Sequence, residues 1–126
     1  MVQGFEKRTC HRFEIPNASL MYKRIGFFFP KKYENSIRLY NISKGGLSFA
    51  CDEEIKKGKT IIVKLFIPNE ESLELLAKVC WQRDSSDGYS LATGVAYLPF
   101  GKGYNMNPPE SLNRLRELDK KYVKNR

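Results

Sequence analysis

No apolar run in this chain approaches the ~18 residues that a membrane-spanning helix needs, so a transmembrane helix is excluded. Cysteine is scarce: Cys10, Cys51 and Cys80 are the only three, and no two of them stand in a C-x-x-C pair. With His11 as the single histidine they make a poor metal set; no metal and no cofactor is expected, and the thiols read as free or buried. The chain also lacks G-x-x-x-x-G-K-[ST] and G-x-G-x-x-G, the glycine loops that cradle phosphates in P-loop and dinucleotide-binding folds. No carboxylate or nucleophile is spaced beside His11 to make an acid–base or nucleophilic set, so the chain reads as a non-enzyme. Its first residues, Met1 to Arg8, lack the apolar core and small-residue cleavage site of a secretory leader, and the expected compartment is the cytoplasm.

What is present is ordinary globular composition with an excess of positive charge. Hydrophobic residues make up 41% and charged residues 29% of 126, enough for one domain with its own core. The net charge of +8 points to an anionic partner: a nucleotide, a nucleic acid or an acidic surface.

Period-two alternation of apolar residues recurs along the chain and predicts strands. The first runs through Phe13 to Lys23, with Ala18, Leu20 and Tyr22 on one face. Ser36 to Tyr40 is the second, Leu47 to Cys51 the third and Thr60 to Ile67 the fourth. In Ser72 to Arg83 the composition favours helix, but Leu73, Leu75, Ala77, Val79 and Trp81 alternate, and alternation decides for a strand. Tyr89 to Leu98 is the last, with either Leu91, Thr93, Val95 and Tyr97 or Ala92, Gly94, Ala96 and Leu98 facing inward. Asn107 as N-cap and Pro108 at the first position then open a helix with an apolar stripe of Leu112, Leu115, Leu118 and Tyr122. Glu110 with Arg114 and Glu117 with Lys121 are spaced to pair along it. The Phe27-Phe28-Phe29 run is expected to pack on the core.

Two stretches stand out against this background. Asn41-Ile42-Ser43-Lys44-Gly45-Gly46 is a polar, glycine-bearing turn between two strand-like runs, where glycine permits positive φ or close backbone approach. Lys7-Arg8-Thr9-Cys10-His11-Arg12 places two arginines four residues apart on a segment with little apolar periodicity, an arm rather than a core element. Together they resemble the PilZ family, whose members carry R-x-x-x-R on an N-terminal arm and then [D/N]-x-S-x-x-G. Arg8 and Arg12 match the first pattern, and Asn41, Ser43 and Gly46 the second.

The resemblance implies an all-β domain with one C-terminal helix, a six-stranded antiparallel barrel over residues 13–126 preceded by a flexible ligand-binding arm at 1–12. It also implies the ligand, cyclic di-GMP, held by Arg8, Arg12, Asn41, Ser43 and Gly46. Arginine suits such a dianion because its fork pairs with phosphate, bonds the N7 and O6 edge of guanine, or stacks on the base. Trp81 is either a stacking face for guanine or a core filler, and Lys7 occupies a position that leans toward a stacked pair of ligands over one. Asn41 stands where aspartate is commoner, which removes an acceptor for the guanine N1 and N2 donors. A receptor with no effector domain would signal to a separate, unidentified effector protein. The alternatives are a basic barrel that binds single-stranded nucleic acid and a PilZ-like protein adaptor that binds no nucleotide. Against the first, basic and aromatic residues are not interleaved along several strands.

Overall fold

A computed structural model of the chain describes residues 12–25 and 32–122. All of the expected arm except Arg12 lies outside them, as do the Phe27-Phe28-Phe29 run and the end of the chain. Seven strands and one helix follow in order: β1 (Ser19–Arg24), β2 (Glu34–Asn35), β3 (Arg38–Ile42), β4 (Gly46–Cys51), β5 (Thr60–Phe66), β6 (Leu73–Asp84), β7 (Leu91–Tyr97) and α1 (Pro109–Tyr122). They form one antiparallel sheet in the order β2-β1-β5-β6-β7-β4-β3.

Seven strands replace the expected six because one of them is bent. The Ser36 amide donates to the Leu20 carbonyl of β1 at 3.0 Å, and the next amide, that of Ile37, donates to the Ala50 carbonyl of β4 at 2.7 Å. Residues 34–42 therefore pair with one edge of the sheet through β2 and with the other through β3, and the sheet curls until its edges meet there. The bend also moves β3 along the chain, so that it runs to Ile42 and into the Asn41–Gly46 turn.

The inward set follows the alternation. Leu20 and Tyr22, Phe49, Ile61, Val63 and Leu65, and Leu75, Ala77 and Val79 are each no more than 1% exposed, which makes them the barrel core. On β7 Thr93 and Val95 face inward, and Ala92, Gly94 and Ala96 lie on the outside. Leu115 and Leu118 of α1 close one end of this core. Tyr22 is a buried phenol that donates to Glu53 at 2.8 Å. Burial first, and that bond second, push its pKa well above the ordinary tyrosine value, so it remains a donor.

Two expectations at the helix are corrected. Asn107 is not a helix cap: it is buried, and its side chain joins the sheet. Its Oδ1 accepts from the Leu76 amide at 2.7 Å, while Nδ2 donates to the carbonyls of Leu76 and Leu98, both at 3.0 Å. One amide side chain thus satisfies the Leu76 N–H and shares the Leu76 carbonyl with the Leu98 amide, which donates to it at 2.9 Å beside the end of β7. Arg114 and Lys121 do not pair along the helix either. Lys121 meets Glu70 at 2.8 Å, and Arg114 lies 3.9 Å from Glu70 and donates to the Glu71 carbonyl at 2.9 Å, so both tie α1 to the β5–β6 connection.

Replacing Asn107 by alanine leaves the Leu76 N–H unpaired, while the Leu76 carbonyl keeps the Leu98 amide, and should lower the unfolding free energy in urea by about 1–3 kcal/mol. Acid should loosen the helix through Glu70, whose carboxyl is held below the ordinary range first by the Lys121 hydrogen bond. A lowered native pKa contributes stability above the ordinary carboxylate range and loses it as pH falls through the native value. Protection of the α1 amides, taken against the intrinsic exchange rate at each pH, should therefore fall on acidification, with that component absent in Glu70→Gln.

Candidate functional site

Four strands side by side, β3, β4, β7 and β6, build the candidate site on their outer face. Following the register across them gives two rungs. Arg38 pairs with Ala50, Ala50 with Ala92 and Ala92 with Arg83; next to it, Asn41 pairs with Ser48, Ser48 with Gly94 and Gly94 with Trp81. Residues directly opposite one another share a face, so the middle of each rung is small and its ends are large. A third rung, Gly46 with Ala96 and Ala96 with Lys78, continues the small floor. Three rungs make a trough floor about 14 Å long, walled by the side chains of β3 and β6.

Each wall carries one extra residue. The register shifts between Leu39 and Asn41 on β3, and between Val79 and Trp81 on β6, so Tyr40 and Cys80 are β-bulges. Without its bulge Asn41 would share the inward face of Leu39, and Trp81 that of Val79. The sequence expectation that Trp81 continues the face of Val79 is corrected here: the bulge turns Trp81 out, and Gln82 in behind it. Gln82 Nε2 donates to Thr93 Oγ1 at 3.0 Å and to the Glu53 carbonyl at 2.9 Å.

Trp81, the only tryptophan, is 38% exposed and lies across Gly94. A Cβ on Gly94 would come within 2.2 Å of the indole, so only glycine lets the ring lie on the strand. The Arg83 guanidinium sits over the ring, 4.7 Å from its centroid. On the opposite wall the Ser48 hydroxyl donates to Asn41 Oδ1 at 3.2 Å, and the Tyr40 and Ser85 hydroxyls bond at 2.9 Å, linking β3 to the β6–β7 hairpin.

Outside β3 the chain adds one more layer. Phe13 exchanges both backbone bonds with Ile42 at 2.8 Å, which sets Arg12 beside Ser43 and Glu14 beside Asn41, on the outer face because Phe13 and Ile42 point inward. The result is an open groove of about 600 Å³ whose lining includes Arg12, Glu14, Asn41, Trp81, Arg38 and Arg83. Three arginines against the carboxylates Glu14 and Asp84 leave it net positive among the described residues.

The expected site residues divide. Arg12, Asn41 and Trp81 line the groove, whereas Lys7 and Arg8 lie outside the described residues. Ser43 and Gly46 are not in the lining. Ser43 Oγ accepts from the Gly45 and Gly46 amides at 3.1 and 3.2 Å, its own amide donates to the Gly46 carbonyl at 2.8 Å, and its carbonyl accepts from the Tyr97 hydroxyl at 3.1 Å. Gly46 is required by proximity, since a Cβ there would stand 2.1 Å from the Val95 carbonyl oxygen; its φ is not positive. Arg38, Arg83 and Glu14 belong to neither sequence motif. The signal that could have found the groove was the pair of small-residue runs at period two, Gly46-Ser48-Ala50 and Ala92-Gly94-Ala96.

Among the described residues no group of three His, Cys, Asp or Glu converges to hold a metal, and no helix is long and apolar enough to cross a membrane. Of the thiols, Cys51 is buried and Cys80, the bulge residue, is exposed; Cys10 lies outside the described residues.

Gly94→Ala should displace the indole and shift the emission maximum of the single tryptophan while the chain stays folded. Gly46→Ala meets backbone instead of a side chain and should cost about 1–3 kcal/mol of stability in denaturant titration.

This geometry has counterparts. The chain superposes on YcgR of Escherichia coli, solved in complex with c-di-GMP, with a TM-score of 0.67 at 12% identity, over 91% of this chain and 45% of that one. It superposes on the Bacillus subtilis inhibitor of motility MotI/DgrA with a TM-score of 0.62 at 17% identity, over 99% of this chain and 55% of that one. The chain thus spans about half the length of these proteins, and at such identity the likeness shows the fold. No curated protein sequence matches it. The PilZ domain profile matches residues 6–111, from the arm through the barrel to the start of α1, and the chain belongs to the PilZ family.

Proposed function

We propose that this chain is a cytoplasmic, non-catalytic receptor for cyclic di-GMP that passes the signal to a separate effector protein. The observation that carries this reading is the trough: Arg12, Arg38 and Arg83 converge with Asn41 and Trp81 over a floor of small residues. Every part of the ligand has a chemical match there. Guanidinium forks suit the two phosphodiesters and the N7 and O6 edge of guanine. An indole lying flat on Gly94 suits a base, with Arg83 as a second stacking plane.

The reading assigns Arg8 and Arg12 to a clamp. Arg12 precedes Phe13, which is fastened to Ile42, so the barrel end of this clamp is anchored. A dianion bridging both halves binds the closed arrangement better than any open one, and that difference in affinity drives the switch. The effector then reads a surface composed of arm, ligand and barrel wall. Ser43 and Gly46 act in this scheme by shaping the turn that holds Asn41, and Lys7 by influencing whether one ligand or a stacked pair is held.

Calorimetric titration with cyclic di-GMP, GTP, cyclic GMP and single-stranded RNA at two salt concentrations tests the reading. Saturable binding of cyclic di-GMP at micromolar or better affinity is expected, ahead of the linear nucleotides. RNA binding of equal strength that weakens steeply with salt, with no saturable cyclic di-GMP signal, would instead identify a strand-binding barrel. Arg8→Ala and Arg12→Ala should each weaken cyclic di-GMP by about 10- to 150-fold, the loss of one charge-assisted contact of roughly 1.5–3 kcal/mol. Amide exchange over residues 7–13 should slow with ligand while β5 changes far less; an arm equally protected with and without ligand refutes the switch.

A further inference from the structure

The groove is rich in donors, and guanine is not read by donors alone. Arg12, Arg38 and Arg83 can only donate. Asn41 has one acceptor oxygen, and the Ser48 hydroxyl already takes one of its two lone pairs at 3.2 Å, so what Asn41 has left to offer is a single acceptor position beside its NH₂ donor pair. Such a set binds phosphates and the O6/N7 edge, yet lacks the two adjacent acceptors that would take the N1–H and N2–H₂ groups that distinguish guanine from adenine.

An acceptor with the right reach lies one register position away. The two hydrogen bonds between Phe13 and Ile42 set Glu14 beside Asn41, on the same outer face, and Glu14 is exposed and lines the groove. Asp84, the other carboxylate, sits on the far wall beyond Arg83, away from Asn41 and Arg12. Resting on the receptor reading above, we infer that Glu14 is the guanine-selecting residue of this chain. Its two carboxylate oxygens accept from the N1–H and N2–H of one guanine, and so supply the pair of acceptors that asparagine at position 41 does not. Adenine presents neither of those donors in that arrangement and would leave the carboxylate unpaired, which is how a hydrogen-bonding site rejects an analogue.

The sign of one substitution separates this role from a bystander's. A carboxylate that only stands near the ligand repels a dianion, so Glu14→Gln would then tighten binding. A carboxylate that reads guanine loses an acceptor on the same change, so binding weakens. The experiment titrates the full chain with cyclic di-GMP and cyclic di-AMP and compares wild type, Glu14→Gln, Asp84→Asn and the double variant Glu14→Gln/Asn41→Asp. Expected are a wild-type preference for cyclic di-GMP and, in Glu14→Gln, a drop of about tenfold toward cyclic di-GMP only. Selectivity should return when Asn41→Asp restores a carboxylate next door, and Asp84→Asn should leave it unchanged. Equal or tighter cyclic di-GMP binding by Glu14→Gln, or loss of selectivity in Asp84→Asn instead, overturns the assignment while the receptor reading stands. A wild type that binds neither ligand overturns the receptor reading, and this inference with it.

Discussion

Two inserted residues determine whether this barrel has a site at all. Strand side chains alternate strictly, so a wall built of β3 and β6 in perfect register would bury Asn41 behind Leu39 and Trp81 behind Val79. Tyr40 and Cys80 each shift the register by one, and they do so on the same rung, Asn41-Ser48-Gly94-Trp81. Both functional candidates are thereby turned to the outer face and set opposite one another across two strands. The core tolerates this because Gln82, turned inward in the place alternation gave to Arg83, finds partners in Thr93 and the Glu53 carbonyl. The polar network behind β6 and the aromatic platform in front of it therefore have a single geometric cause.

The same four strands hold the cations of the groove at its rim. Ala50 and Ala92 are almost fully covered although they lie on the outer face, because the long walls fold over them. Arg38 lies over Tyr40 and Arg83 over Trp81, so each cation is parked on an aromatic face and kept from the carboxylates across the groove. Charge is thus held at the rim at modest cost. The Trp81 ring thus has Gly94 beneath it and a guanidinium over it.

Much of the fold was legible because it rests on local alternation. The β5 strand, the helix stripe through Leu115 and Leu118, and the turn at Asn41–Gly46 all follow from side chains within a few residues of each other. What escaped was everything set by a second segment. A bulge exists only relative to the partner strand, so nothing within Val79-Cys80-Trp81 marks where the alternation breaks. Asn107 looks like a helix cap in sequence, and becomes a surrogate strand only because Leu76 lies next to it in space. Arg114 and Lys121 had partners at helical spacing, but Glu70 sits nearer once the barrel is closed. The bend at Ser36–Ile37 is likewise visible only as a switch of hydrogen bonds from β1 to β4.

The turn motif, finally, is two things at once. Ser43 and Gly46 are held by demands of the barrel itself: one hydroxyl accepts from two turn amides, and one missing Cβ lets β4 approach β7. A protein that never met a nucleotide would still need both to make this turn. Their presence therefore carries little weight against a protein-only adaptor. The discriminating weight falls on groups the fold has no use for. Arg12 and Glu14 are exposed on the outer face beside β3. Trp81 exposes an indole that a purely structural strand would turn inward. Gly94 gives up a side chain so that this ring can lie flat. Taken together these choices sacrifice packing on one face of the barrel in favour of a cationic trough, and it is on these groups, not on the turn, that the proposed receptor reading rests.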